Sequence, residues 1–140
     1  LNDTVGRVGG DIVRHACTDV TGFSLMGHSC EMAEASGVTL QIDADAVPVL
    51  DGAREMARMG MLPAGAYRNR DFFGPRVQMG PDVPLDLADV LFDPQTSGGL
   101  LVSVDASQAD TLVSRLRDEG LPAAVIGQVV ERGQKSVEVR

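Results

Sequence analysis

The stretch that decides the fold covers residues 12–42 and reads IVRHACTDVTGFSLMGHSCEMAEASGVTLQI. Its first nine residues suit a buried strand, and the alternation along that strand places His15, Cys17 and Asp19 on one face. A Thr-Gly pair at 21–22 then breaks the strand. The sequence therefore predicts a strand that delivers an aspartate close to a turn.

A helix and a second strand follow this turn. Residues 23–36 predict a helix, with Met26 and Cys30 at helical spacing on one stripe and Gly37 as the C-terminal cap. Apolar and polar residues alternate over 38–42, which is typical of a strand with one wet face. Strands and helices thus interleave in this part of the chain.

The remaining segments give shorter signals. Residues 1–10 predict a loop, Asp51 is placed as the cap of a helix that runs to Gly60, and residues 61–84 predict a long loop rich in Gly and Pro. The later predictions are a helical turn over 85–92, a strand over 100–104, a helix that stops at Gly120, and a terminal hairpin made by 123–131 and 135–139. Together they predict an α+β fold in which α-helices cover a mixed β-sheet.

Composition bounds the class of protein. The 140 residues suit one domain, and the net charge of −8 argues against a nucleic-acid partner, which would need a basic surface. No apolar run is long enough to span a membrane. The chain starts without Met or a signal peptide and carries two cysteines at no disulfide-like density, so we expect part of a longer cytoplasmic protein with reduced thiols.

The first motif with chemical content is TDVTGF at 18–23. An aspartate near the end of a strand, just before a glycine turn and a helix, is well placed to meet a ligand at the sheet edge. Its carboxylate can supply a hard oxygen ligand to Mg²⁺. The alternative is that Asp19 only caps the following helix, and spacing alone leaves both interpretations open.

The second motif is DPQTSGG at 93–99. Two glycines in a row suit a backbone that wraps an anion or packs tightly against another segment. The motif is not a Walker loop, because it lacks the spacing and the Lys of one. A tight turn that feeds the next strand is the alternative interpretation.

Two histidines and two cysteines raise a zinc hypothesis, but His15, Cys17, His28 and Cys30 match none of the usual zinc spacings. We interpret His28 as a packed or surface histidine and Cys17 as a small core residue. No base can be placed beside Cys17 to make it a nucleophile.

Taken together, the two motifs resemble selenophosphate synthetase (selenide, water dikinase). The matching stretches run in order within residues 12–131 and are ACTDVTGF at 16–23, Gly27-His28, ASGV at 35–38, VPVLDGA at 47–53, Arg68-Asn69, and 91–101 around PQTSGG. This family is similar in fold to aminoimidazole ribonucleotide synthetase and thiamine-monophosphate kinase, which are two-domain enzymes that use ATP. The resemblance implies that residues 1–140 form one C-terminal domain, with the fold of the aminoimidazole ribonucleotide synthetase C-terminal domain.

The resemblance also implies a reaction in which ATP, selenide and water give selenophosphate, AMP and orthophosphate. It implies that Asp19 is a Mg²⁺ ligand, while the other carboxylates, the nucleophilic Cys or selenocysteine and the nucleotide loop belong to an N-terminal domain outside this chain. Cys17 and Cys30 do not match that nucleophile, so we expect no catalytic residue here and no activity from the chain alone. Family members are homodimers, mainly through the N-terminal domain.

The role of the second motif is a hypothesis. We expect four of its residues to close the ATP site from the C-terminal side, namely Thr96, Ser97, Gly98 and Gly99. One position departs from the family pattern, because Ser24 stands where the family usually has Gly, and we expect the first turn of a helix to accommodate it easily. Two rival functions stay open, a paralogous ATP-dependent enzyme with another phosphate acceptor and a non-catalytic interaction module.

Overall fold

The computed structural model describes residues 7–140. The loop predicted for residues 1–10 therefore lies largely outside the described residues. The described strands are β1 Arg14–Asp19, β2 Val38–Ile42, β3 Val77–Met79, β4 Leu100–Val104, β5 Gly127–Glu131 and β6 Val137–Val139. The described helices are α1 Ser24–Ser36, α2 Ala53–Arg58, α3 Ala64–Phe73, α4 Leu85–Leu91 and α5 Ala106–Asp118, with short 3₁₀ turns at Ala44–Ala46 and Gly74–Arg76.

The strands form two sheets. The larger has the order β3-β6-β2-β5, in which β2 pairs antiparallel with β5 and parallel with β6, and β6 pairs parallel with β3. The smaller is an antiparallel pair of β1 and β4. Mixed strand directions and helices that cover the sheet confirm the predicted α+β class.

The main core lies between the four-stranded sheet and helices α1 and α4. Met26 and Cys30 of α1 are fully buried, as the predicted stripe requires, and they pack with Leu91 of α4 and Val137 of β6. Gly37 adopts a left-handed conformation (φ 66°) and ends α1 as predicted. Close packing of aliphatic side chains thus fixes α1 against the sheet.

A second, smaller cluster lies under the two-stranded sheet. Ile12 packs with Leu112 and Leu116 of α5, and partly buried residues of β4 complete the cluster. All five side chains of β4 are only partly buried. This sheet is therefore covered less completely than the larger one.

The terminal hairpin predicted over 123–139 is wrong. Strands β5 and β6 do not pair with each other, because β2 lies between them and pairs with both. The wet face predicted for β2 is confirmed at Asp43, which is exposed, and wrong at Thr39, which is fully buried and donates its hydroxyl to the Lys135 carbonyl at 2.6 Å. The turn that follows β5 covers this one residue, because the Gly133 amide also donates to the Thr39 hydroxyl at 2.9 Å.

The long loop predicted over 61–84 is wrong as well. It contains α3, a 3₁₀ turn and β3, and its prolines stand at element boundaries. Pro63 and Pro84 occupy the N-cap positions of α3 and α4. Asp51 caps no helix, because the N-cap of α2 is Gly52 and no side chain bonds to it. Within residues 7–140, no helix is long and apolar enough to cross a membrane.

Candidate functional site

The two motifs meet at one end of the two-stranded sheet. The Val20 amide donates to the Gly99 carbonyl at 2.9 Å, and the Gly98 amide donates back to the Val20 carbonyl at 3.0 Å. A third bond, from the Gln95 amide to the Thr21 carbonyl, measures 3.1 Å. The structure thus brings together two segments that lie more than 70 residues apart in the sequence. We call residues 18–23 with residues 93–99 the motif corner.

Gly98 shows why the second motif needs glycine. A Cβ at this position would lie 2.9 Å from the Val20 carbonyl oxygen and 3.0 Å from the Gln95 Cβ. The nearest of these atoms is backbone, which cannot turn away as a flexible side chain can. Of the two uses predicted for the paired glycines, close packing against another segment is therefore confirmed.

Asp19 ends β1 at this corner, opposite Leu100 of β4. It is exposed, as are His15 and Cys17, so the predicted shared face of β1 is confirmed, whereas the prediction that this strand is buried is wrong. Within the described residues no hydrogen bond or ion pair occupies the Asp19 carboxylate. The capping alternative is wrong, because the N-cap of α1 is Phe23 and the Asp19 side chain makes no bond to this helix.

Asn69, on α3, joins the first motif to the residue that precedes the second, a role that the sequence analysis missed. Its side-chain amide donates to the Gly22 carbonyl at 3.0 Å and to the Phe92 carbonyl at 3.2 Å, and the residue is only 7% exposed. These bonds satisfy the buried Phe92 carbonyl and the Gly22 carbonyl, which lies nearer the surface. The only signal in the sequence was that Arg68-Asn69 fitted the resembled family inside a predicted loop.

Ser24 lies directly behind the corner in an unusual backbone conformation. Its φ is 71°, it is fully buried, and its Oγ accepts a bond from the Gly27 amide at 3.3 Å. A left-handed φ favours glycine and costs free energy for a residue with a Cβ. The expectation that Ser fits easily here is therefore wrong, and the geometry explains why the resembled family uses Gly.

The second motif contributes a carboxyl and several exposed polar groups to the motif corner. Partial burial raises the pKa of the Asp93 carboxyl, and a bond of 2.5 Å from the Gln95 side-chain amide offsets part of that rise. Thr96, Ser97 and Gly98 are exposed, and Gly99 is half-buried with φ 94°. The side chains of Thr96 and Ser97 are therefore open to solvent.

The four residues of the zinc hypothesis do not come together. No group of three or more His, Cys, Asp or Glu side chains able to hold a metal occurs among residues 7–140. Cys30 is buried in the main core, where desolvation raises the pKa of its thiol to about 11. Cys17 is exposed, so its interpretation as a core residue is wrong. His28 is buried and bonded to its neighbours, as a packed histidine should be.

The donor set of the corner fits a shared Mg²⁺ site. Asp19 offers an exposed carboxylate without a competing cation, which suits a hard divalent ion. A single protein carboxylate is also what Mg²⁺ needs when phosphate oxygens and other residues supply the remaining ligands. This part of the chain could therefore supply one ligand to such an ion, and Asp19 would be the residue that supplies it.

Comparison with known proteins gives a consistent family. Residues 7–140 match the family described as AIR synthase related protein, C-terminal domain. A selenide, water dikinase of Pelobacter propionicus is 47% identical over 140 residues, which cover 99% of this chain and 40% of the relative. A selenide, water dikinase of Clostridium botulinum is 44% identical over 126 residues, or 90% of this chain and 36% of the relative.

A solved structure shares the fold at lower identity. Thiamine-monophosphate kinase from Stenotrophomonas maltophilia superposes with a TM-score of 0.57 at 24% identity, over 90% of this chain and 31% of that one. Identity this low shows the fold alone. The chain spans between 36% and 41% of the length of the first curated relatives that it matches.

Proposed function

The chain belongs to the family of AIR synthase related proteins, C-terminal domain, and from that premise we propose that it is the C-terminal domain of a selenide, water dikinase. The whole enzyme would convert ATP, selenide and water to selenophosphate, AMP and orthophosphate. The observation that carries the proposal is the identity of 41% to 48% with relatives of that name over nearly the whole chain. Transfer of a phosphoryl group depends mainly on positioning and on stabilisation of charge.

The role proposed for Asp19 is to bind Mg²⁺ at the edge of the two-stranded sheet. Its exposed carboxylate, free of partners in the described chain, and the bonded turn that follows it support this role. When bound, the ion would neutralise negative charge on phosphate oxygens. With a net charge of −8, the chain needs such mediation to hold a nucleotide.

The second motif would close the ATP site from the C-terminal side. Thr96 and Ser97 expose hydroxyl groups, and Gly98 fixes the loop against the Val20 carbonyl. Hydroxyls and backbone amides are suitable donors to phosphate oxygens. These three residues, with Gly99, therefore support nucleotide binding in the proposal, and none of them carries the chemical step.

The catalytic nucleophile and most of the ATP site would belong to the part of the enzyme that the relatives have and this chain lacks. That part, ATP and selenide are the proposed partners, and the proposed assembly is a cytoplasmic homodimer of the full-length enzyme. Exposed Cys17 and buried Cys30 take no catalytic role. The chain alone is expected to form no AMP from ATP and selenide.

Phosphorus NMR of the full-length protein with ATP, Mg²⁺ and selenide tests the proposal. We expect a selenophosphate resonance and stoichiometric AMP, both dependent on selenide. Replacement of selenide by thiamine monophosphate is the control, because a solved relative in fold carries that activity in its name. Product from thiamine monophosphate but not from selenide would replace the proposal with the paralogous enzyme, and no product from either would favour a non-catalytic interaction module.

A further inference from the structure

Hydrogen bonds link three side chains in series next to the Thr-Gly turn that follows Asp19. The three residues are Thr21, His28 and Glu31. Thr21 Oγ1 lies 3.0 Å from His28 Nε2, and His28 Nδ1 lies 3.0 Å from Glu31 Oε2. The His28 side chain is 11% exposed, whereas that of Glu31 is 51% exposed. The chain of bonds thus runs from a carboxylate on the surface of α1, through a buried imidazole, to the turn that follows Asp19.

The chemistry of the partners fixes the direction of these bonds. An ionised carboxylate can only accept, so the ring of His28 donates from Nδ1 to Glu31. When the ring is neutral, Nε2 is an acceptor and the Thr21 hydroxyl donates its hydrogen to it. The hydroxyl of Thr21 therefore cannot rotate freely, and Glu31 determines which ring nitrogen is available to hold it.

Thr21 links the second motif to the start of α1 through its backbone carbonyl. Its carbonyl accepts one bond from the Ser24 amide at 2.9 Å, at the start of α1, and another from the Gln95 amide at 3.1 Å. The ring of His28 also lies 5.6 Å from the ring of Phe23, centroid to centroid, which restricts its orientation. The imidazole is thus held on two sides and holds the side chain of Thr21 in turn.

We propose that His28 and Glu31 are positioning residues for cation binding at Asp19. This inference rests on the proposed function of the chain. His28 holds the side chain of Thr21 and thereby the turn that presents the Asp19 carboxylate. Neither His28 nor Glu31 touches the substrate. A ligand carboxylate displaced by a fraction of an ångström loses both affinity and rate, because metal geometry and in-line transfer tolerate little error.

Variants of the full-length protein separate this role from simple packing. His28→Leu removes the acceptor for Thr21, whereas His28→Gln keeps an amide oxygen close to the position of Nε2. Glu31→Ala removes the outer partner. Glu34→Ala is the matched control, because Glu34 lies on the same helix and bonds Arg76 and Ser136 instead.

The probe is Mn²⁺, which binds the same oxygen ligands as Mg²⁺ and can be titrated by electron paramagnetic resonance. We expect His28→Leu to weaken Mn²⁺ binding by about 10- to 100-fold and to slow selenophosphate formation by a similar factor. His28→Gln should stay within about threefold of wild type, Glu31→Ala should change in the same direction as His28→Leu but less, and Glu34→Ala should bind Mn²⁺ as wild type does. Thr21→Val removes the hydroxyl at the other end of the same bond without changing α1. It should weaken Mn²⁺ binding as much as His28→Leu does, whereas Thr21→Ser keeps the hydroxyl and should not.

Wild-type Mn²⁺ affinity in His28→Leu or in Thr21→Val would overturn the inference. Equal losses in His28→Leu and His28→Gln would also overturn it, since packing alone would then explain both. If wild type binds Mn²⁺ and the variants follow the expected order while selenide gives no product, the positioning role stands and the proposed reaction fails. Absence of any Mn²⁺ binding by wild type would overturn the positioning role together with the metal role of Asp19.

Discussion

The four-stranded sheet and the two-stranded sheet are held in place by different interactions. In the larger sheet Val137 is fully buried and packs with Met26 and Leu91, which are fully buried too. In the smaller sheet every residue of β4 is partly exposed, and the end that carries Asp19 is fixed by backbone bonds to residues 95–99. The comparison teaches that apolar burial stabilises the chain in one region, while hydrogen bonds shape the candidate site in the other.

The largest expected effect compares one leucine from each cluster. Leu91→Ala opens a cavity in the larger core and should lower the free energy of unfolding by about 4 kcal/mol. Leu112→Ala lies in the small cluster, where partly exposed neighbours can close the gap, and should cost about 2 kcal/mol. Urea unfolding monitored by circular dichroism measures both losses. The slope of the free energy of unfolding against urea concentration should stay unchanged, which is the control. Equal losses would show that the two regions are packed alike.

The next largest effect compares two glycines of the motif corner, Gly98 and Gly22. Gly98→Ala forces a Cβ against the Val20 carbonyl and should lower the free energy of unfolding by about 1–3 kcal/mol. Gly22→Ala is the matched control, because a Cβ there has no atom within 4 Å and should change stability by less than about 1 kcal/mol. The same urea titration reports both variants. If Gly98→Ala were no worse than Gly22→Ala, the close approach of the two motifs would not hold in solution.

The smallest effect concerns Ser24, where the corner joins the main core. Ser24→Gly and Ser24→Ala both lose the hydroxyl that accepts from the Gly27 amide, so they differ only by a Cβ at φ 71°. Gly should therefore be more stable than Ala by about 1 kcal/mol. Thermal unfolding of the two variants side by side measures this difference. An Ala variant at least as stable as the Gly variant would contradict the left-handed conformation.

Local patterns in the sequence predicted the elements that repeat a simple period. The stripe of Met26 and Cys30, the alternation of His15, Cys17 and Asp19, and the left-handed cap at Gly37 all follow from short-range geometry. The two motif segments, 18–23 and 93–99, bond to each other in the structure. Their direct contact was not predicted, because it depends on how β1 pairs with β4.

The errors arose where long-range pairing or short elements decide the structure. Gly and Pro in 61–84 suggested a loop, yet Pro63 and Pro84 mark the starts of helices that are 10 and 7 residues long. The insertion of β2 between β5 and β6 cannot be read from the turn that separates those two strands. Cys17 suits a core by residue type, and only its side of the β1–β4 pair places it in solvent.

The most direct test of the central claim compares two exposed aspartates beside the two-stranded sheet. Asp19 ends β1 at the motif corner, whereas Asp105 follows β4 at the other end of the sheet and bonds His15 at 3.1 Å. The measurement is the rate of selenophosphate formation by the full-length protein, followed by phosphorus NMR, in Asp19→Asn and Asp105→Asn. We predict a loss of at least about 100-fold for Asp19→Asn and a rate close to wild type for Asp105→Asn, because a neutral amide is a poor Mg²⁺ ligand. A folded Asp19→Asn variant as active as Asp105→Asn would contradict the claim that the corner presents a metal ligand.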